Sequence, residues 1–347
     1  MKILLDDVSF RDFLFPFGQL KSIAHLRPGI LSIYEKWDAV FPGNVYLVSE
    51  HLVEENNCLS FPANAIPSIS FLLKLKQSEN DNFSLERIAF EGKIFKYPWQ
   101  LPSINNWAIR EDFNLITKDR KSITISTDCV IYNTQNIFIE PGAKVYASTI
   151  NAEAGPVYIG KNALVMEGVC MRGPISIGEG AVIKMGAHLY EGTSIGKNCI
   201  AGGEIKNSIL MDYSNKAHDG YLGDSVIGEW CNIGAGSSNS NLKNNAEPVK
   251  YWSVADNAFV TSGIKGGLVM GDFSRCAINT SFNTATLTGI SCNIFDQGFP
   301  PKFVDNFSWG DQKYEIDRVI RDINNWKKLK DQFLSEETIY QLKKIYK

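Results

Sequence analysis

Histidine is scarce in this chain of 347 residues: His25, His51, His188 and His218 are all there is, with no His-Glu-x-x-His and no close pair. Catalytic zinc sites built from clustered imidazoles are thereby excluded. The seven cysteines (Cys58, Cys129, Cys170, Cys199, Cys231, Cys276, Cys292) are odd in number, scattered, and contain no Cys-x-x-Cys. Neither a disulfide framework nor a zinc knuckle is expected, and they read as small buried apolar residues. No apolar run of signal-peptide or membrane-spanning length occurs, since Met1 to Leu5 meets Asp6-Asp7 at once. The expectation is a cytoplasmic protein with no membrane span. Excess positive charge is also missing: 35 Lys and Arg against 38 Asp and Glu give a net charge of −3, so nucleic acid is not the expected partner.

Glycine, in contrast, is plentiful at 28 residues in a chain that is 44% hydrophobic. Its placement is periodic. Ile159-Gly160, Ile177-Gly178 and Ile195-Gly196 recur every 18 residues, each followed by a charged residue (Lys161, Glu179, Lys197), a turn former (Asn162, Gly180, Asn198), a small residue and an apolar one. Ile139 to Val145 has the same shape, and Ile209 and Ile227 are again 18 apart. Eighteen is three sixes, and a six-residue unit with one apolar position and a Gly or Asn at a fixed offset suits a short strand plus a tight turn. Three units close a triangular coil, and stacked coils put Ile159, Ile177 and Ile195 in one interior ladder. A parallel β-helix of roughly ten coils is expected from about residue 123 to 299.

The ends read differently. Residues 1–100 combine strand-like Ile3-Leu4-Leu5 and Val45 to Val48 with a helical Ile30 to Trp37, a small α/β unit. Residues 101–122 are expected to link it to the repeat domain, 123–310, and residues 311–347 to form C-terminal helices, with Ser335 capping the second. The repeat is interrupted between Glu204 and Asn241, and breaks in a solenoid are where loops carry function.

That interrupted segment resembles the acetyltransferase half of the bifunctional N-acetylglucosamine-1-phosphate uridylyltransferase/glucosamine-1-phosphate acetyltransferase family. The motifs are Glu204-Ile205-Lys206, His218-Asp219-Gly220-Tyr221-Leu222-Gly223-Asp224, Asn232-Ile233-Gly234-Ala235-Gly236 and Asn241. The run Asn215 to Asn245 and Leu26 to Trp37 look more closely like a Bacteroidetes-type branch of sugar nucleotidyltransferase-like proteins. The resemblance implies a left-handed β-helix, a homotrimer with sites between subunits, and transfer of an acyl group from acetyl-CoA to the amine of an amino-sugar phosphate such as glucosamine 1-phosphate. It implies His218 as general base with Glu204 beside it, a role a neutral imidazole suits near neutral pH. It further implies Lys206 on the sugar phosphate, Tyr221 and Asn232 on the sugar, and Asn241 on the acyl donor.

The chain also departs from that pattern. The family's second phosphate-binding cation falls near Tyr190 or His188, which brings Arg172 forward as a replacement. Extra residues around Glu247 to Thr261 displace the downstream CoA contacts, for which Thr280 and Arg275 are candidates. The glycine-rich triphosphate loop is replaced by Phe15-Pro16-Phe17-Gly18-Gln19-Leu20-Lys21. Lys21 and Arg27 remain as nucleotide-phosphate contacts in what reads as a degenerate nucleotidyltransferase-like domain, with Mg²⁺ required only if that chemistry survives. The alternatives are therefore a sugar-1-phosphate nucleotidyltransferase, such as a UDP-sugar pyrophosphorylase, and a non-catalytic trimeric binding protein.

Overall fold

A computed structural model describes residues 1–50, 58–78, 89–295 and 297–347. From Val130 the chain winds into a parallel β-helix with three faces. The first face has nine strands, from Ile137–Ile139 to Phe303–Val304; the second has ten, from Lys144–Val145 to Gln312–Lys313. The third has six, from Val130–Tyr132 to Tyr221–Gly223, and is continued by the pair Ser238–Asn239 and Ser281–Phe282. Ile159, Ile177 and Ile195 stack in register, at most 1% exposed, as the interior ladder the spacing predicts. Turn residues follow the same logic, Asn162 and Asn198 taking φ of 56° and 55° where Gly180 takes 65°.

The register then shifts. Ile195 lies against Leu210, and Leu210 against Ile227, so Leu210 rather than Ile209 continues the ladder. Ile209 pairs with Val226 and faces outward, where both join Met211, Val269 and Leu287 in a buried cluster with the N-terminal residues. The first face is thus covered by the chain's own N-terminal unit. That unit has a parallel three-stranded sheet with Lys2–Asp6 between Val45–Leu47 and Cys58–Pro62, and a short helix, Ile33–Asp38, capped reciprocally by Ser32 and Glu35.

The stretch expected as a linker holds a helix of 17 residues, Leu101–Thr117, with Pro102 in its first turn, where the missing N–H costs nothing. Its buried stripe includes Asn105 and Asp112, polar residues that mask the apolar spacing in the sequence. Both are paired. Asn105 accepts from the Gly29 amide (2.7 Å) and donates to the Gly192 carbonyl (2.6 Å), while Asp112 accepts from the Ile30 and Leu31 amides and forms an ion pair with Lys36, both side chains 2% exposed.

The extra residues near 247–261 form a hairpin, Val249–Ser253 with Ala258–Gly263, which leaves the solenoid and returns to it. Tyr251 on this hairpin stacks on Trp99 (4.7 Å between centroids) and Trp99 on Tyr97 (4.6 Å), fastening hairpin to N-terminal unit. Helices Ile316–Lys328 and Glu336–Tyr346, the second capped by Ser335 as expected, cover a corner lined by Trp230, Phe273, Ile290 and Phe307. No helix among the described residues is long and apolar enough to cross a membrane.

Candidate functional site

The third face carries its outward side chains in two columns. In one, Cys170, His188, Glu204 and Tyr221 stand on successive coils in direct register. In the other, Arg172 is followed by Tyr190 and Lys206, with the Lys206 ammonium 5.4 Å from the Tyr190 ring centroid. Glu204 is exposed, while Tyr221 is half-buried. The Tyr221 hydroxyl accepts from Asn241 Nδ2 (3.1 Å), which also donates to Asp224 (2.5 Å), and Asp224 accepts from Asn207 (2.7 Å). Burial, with Asp224 and Glu204 nearby, pushes the phenol up to about 12, so Tyr221 is a neutral hydrogen-bond donor at physiological pH.

His218 sits at the corner leading into that face. Its carbonyl packs on Gly203, whose φ is 69°; a Cβ there would stand 2.8 Å from the carbonyl oxygens of both His218 and Gly220. Gly203 directly precedes Glu204, so the backbones bearing imidazole and carboxylate run in contact on adjacent coils. The imidazole is exposed and lines an open depression of about 480 Å³ with Lys184, Met185 and Ile278.

The other predicted residues are distributed elsewhere. Asn232 lies on the second face, in register between Asn215 and Arg275. Arg275 is 8% exposed beneath Trp326, whose ring centroid is 4.9 Å from its guanidinium, and donates to the Phe273 carbonyl. Thr280 is buried, its hydroxyl donating to the Ala277 carbonyl in its own turn and its amide to the Ser237 hydroxyl of the preceding coil. Arg172 is exposed, 4.0 Å from Glu191, on the edge of a groove of about 500 Å³ lined also by Tyr132, His188 and Tyr190. One chain therefore brings together Glu204, Lys206, His218, Tyr221 and Asn241, and keeps Asn232, Arg275 and Thr280 apart from them.

Lys21 and Arg27 point into the solenoid. Lys21 pairs with Glu229 and lies 3.8 Å from Asp272, and Arg27 pairs with Glu35 (2.6 Å) and Asp212 (3.3 Å). Burial raises the Asp272 carboxyl to about 6 even with Lys21 opposing the shift. For Glu35, burial acts upward but Arg27, the Ser32 amide and Lys197 prevail and hold it at about 2. Asp212, Glu229 and Asp272 were not singled out in the sequence. They prolong the charged position that follows Ile-Gly at Lys161, Glu179 and Lys197, and that column was the signal. Among the described residues no group of three or more His, Cys, Asp or Glu side chains is arranged to hold a metal ion.

Residues 2–69 match the family described as sugar nucleotidyl transferase. The bifunctional protein GlmU of Methanocaldococcus jannaschii is 37% identical over 91 residues, covering 26% of this chain and 22% of that protein. GlmU of Thermodesulfovibrio yellowstonii is 33% identical over 148 residues, covering 41% and 31%. A bifunctional sugar-1-phosphate nucleotidylyltransferase/acetyltransferase of Sulfurisphaera tokodaii is 31% identical over 102 residues, covering 29% and 24%. The chain thus spans less than a third of the length of each of these relatives. A crystal structure of PerB from Caulobacter crescentus with CoA and GDP-perosamine aligns over 86% of this chain and 93% of that one, but at 10% identity and a TM-score of 0.15 it carries no argument. The chain is thus similar, over residues 2–69, to the sugar nucleotidyl transferase family and, over part of its length, to bifunctional sugar-1-phosphate nucleotidylyltransferase/acetyltransferases such as GlmU.

Proposed function

We propose that this protein is an acyl-CoA-dependent N-acyltransferase acting on the amine of an amino-sugar phosphate. The observation that carries the reading is the contact of the Gly203-Glu204 backbone with the His218 corner, with Tyr221 in register on Glu204. An exposed imidazole, a carboxylate and a neutral phenol then face solvent from two adjacent coils. The sugar amine attacks the thioester carbonyl, the C–N bond forms, the C–S bond breaks, and the amine's proton passes to His218, which returns it to the leaving thiolate. Glu204 favours the protonated imidazole formed in that step. Lys206 supplies the cation for the phosphate, and Arg172 the second where the substrate extends along the third face.

The second face supports self-association into a trimer. Its outward row Leu164, Val182 and Ile200 is apolar and half-buried, and Met185 and Ile278 beside His218 are 67% and 69% exposed. Another copy laid there would cover this apolar row. The closer likeness to a Bacteroidetes-type branch belongs to this reading, as does a cytoplasmic setting. The test is thiol release from acetyl-CoA with glucosamine 1-phosphate and other amino-sugar phosphates. Turnover is expected for one of them and slowed by about 10²–10⁴-fold, to a measurable residual rate, in His218→Ala; undiminished turnover in that variant would remove His218 as base.

The match over residues 2–69 favours a second reading, nucleotidyl transfer. Pyrophosphate release from UTP that depends on Lys21 or Arg27 would establish it. The pairing of both cations with carboxylates of the same chain favours the acyltransferase.

A further inference from the structure

We propose that Lys216 is a positioning residue that fixes the corner carrying His218 and thereby its distance from Glu204; the inference rests on the acyltransferase reading above. Lys216 occupies an interior site. On the second face the inward row runs Val165, Ile183, Ala201 and then Lys216, a lysine where the repeat calls for an aliphatic residue. Its side chain is buried, at 2% exposure. Ala201, one coil before it, is small and leaves room for the four-carbon stem.

The ammonium has one hydrogen-bond acceptor among the described contacts, the backbone carbonyl of His218. It also lies against Gly203, where a Cβ would stand 2.9 Å from Nζ. One buried cation therefore touches both corners of the site, the turn that bears the base and the turn that precedes the carboxylate. His218 and Glu204 are themselves both exposed. The imidazole's place is set by its backbone, which Lys216 holds at the His218 carbonyl itself while coil-to-coil bonds hold the flanking Asp219 and Gly220 carbonyls.

The arrangement is costly for the fold. Burying an ammonium forfeits its hydration, and one carbonyl repays only part of the loss. Burial drops the group to about 8, with Asp219 opposing the fall. A core selected for stability alone would carry Leu or Met at this point, as the neighbouring coils carry Val and Ile. Retaining a lysine whose one hydrogen-bond acceptor among the described contacts is the general base's own carbonyl ties the cost to the site.

Lys216→Met keeps the stem's length and deletes the charge. The expected result is a melting temperature equal to or above wild type, KM values for acyl-CoA and amino sugar within about twofold, and kcat lower by about tenfold, as slight misplacement of a catalytic group produces. The double variant Lys216→Met/His218→Ala is expected to be no slower than His218→Ala alone, because Lys216 acts through His218. Three results overturn the proposal: full kcat in Lys216→Met, additive losses in the double variant, or joint loss of stability and activity in Lys216→Met, which would make the ammonium a core-packing group. Lys216→Leu repeats the measurement with a second apolar side chain. The wild type and His218→Ala separate the two readings: no thiol release from acetyl-CoA by wild type removes the acyltransferase reading, undiminished turnover in His218→Ala removes His218 as base, and a slowed His218→Ala beside a fully active Lys216→Met removes Lys216 alone.

Discussion

Replacing Lys21 by methionine discriminates between a cation waiting for a triphosphate and a cation that fastens two parts of one chain. Asp272 is 3% exposed and its carboxyl is raised from 3.8 to about 6 with Lys21 in place. A carboxyl whose folded pKa is raised costs stability that grows as pH climbs from the unfolded toward the folded value and then levels off. At 1.36 kcal/mol per unit this cost is already about 3 kcal/mol at neutral pH. Without Lys21 the pKa rises further, and the cost is capped when the group stays protonated, about 5 kcal/mol at about pH 7.5. The increment is therefore about 2 kcal/mol. Glu229, with 31% of its side chain exposed, adds less than about 1 kcal/mol because water takes over when its partner leaves. Lys21→Met should lose about 3 kcal/mol near pH 7.5, and the deficit should shrink to about 1 kcal/mol near pH 5, where Asp272 is protonated in both proteins. Urea unfolding at the two pH values measures it, with UTP binding followed by calorimetry. A variant as stable as wild type at pH 7.5 that binds UTP less well would refute the fastening argument and restore the phosphate role.

Asp112→Ala leaves the buried Lys36 ammonium and the Ile30 and Leu31 amides without their acceptor, and should cost about 3–5 kcal/mol in the same unfolding assay. Glu35 is held at about 2, so its stabilising contribution is complete above about pH 4.5 and drains away as pH falls toward 2; wild type should lose stability relative to Glu35→Gln across that window in acid melts. Gly203→Ala forces a Cβ to 2.8 Å from two carbonyl oxygens at φ 69°, and should lower stability by about 3 kcal/mol and acyl transfer with it. Trp99→Ala removes the middle ring of the Tyr97, Trp99, Tyr251 stack and should cost about 3–5 kcal/mol by thermal melting.

The coil was legible because its rule repeats: an apolar residue inward and a Gly or Asn at the corner, from Ile159 to Ile195. Legibility fails where the coil length changes. Ile209 and Ile227 share the 18-residue spacing, yet a shortened coil puts Leu210 in the ladder and turns Ile209 toward the N-terminal unit. Spacing reports which residues are apolar but cannot say which of two adjacent ones points inward. The helix Leu101–Thr117 was hidden for another reason, since its buried face contains Asn105 and Asp112, whose partners Gly29, Gly192 and Lys36 come from distant segments. At the site, Glu204, Lys206, His218 and Tyr221 were readable as a motif. The roles of Asp212, Glu229 and Asp272 were not, because their significance lies in what faces them.

Covering determines which parts of the solenoid remain open to a substrate. The N-terminal unit lies on the first face, with Lys21, Arg27 and the Leu101–Thr117 helix as its attachments. The C-terminal helices cover the late coils of the second face, where Trp326 closes over Arg275. What stays open includes the third face from Tyr132 to Glu204, the corner at His218 and the early coils of the second face. Glu204, Lys206 and His218 fall there, and Lys21 and Arg27 do not. Lys21 and Arg27, within the segment that matches the sugar nucleotidyl transferase family, are paired with the solenoid's acids, and the same pairs hold the N-terminal unit on the first face while the third face stays uncovered. Activity confined to that face should survive any substitution at Lys21 that leaves the protein folded.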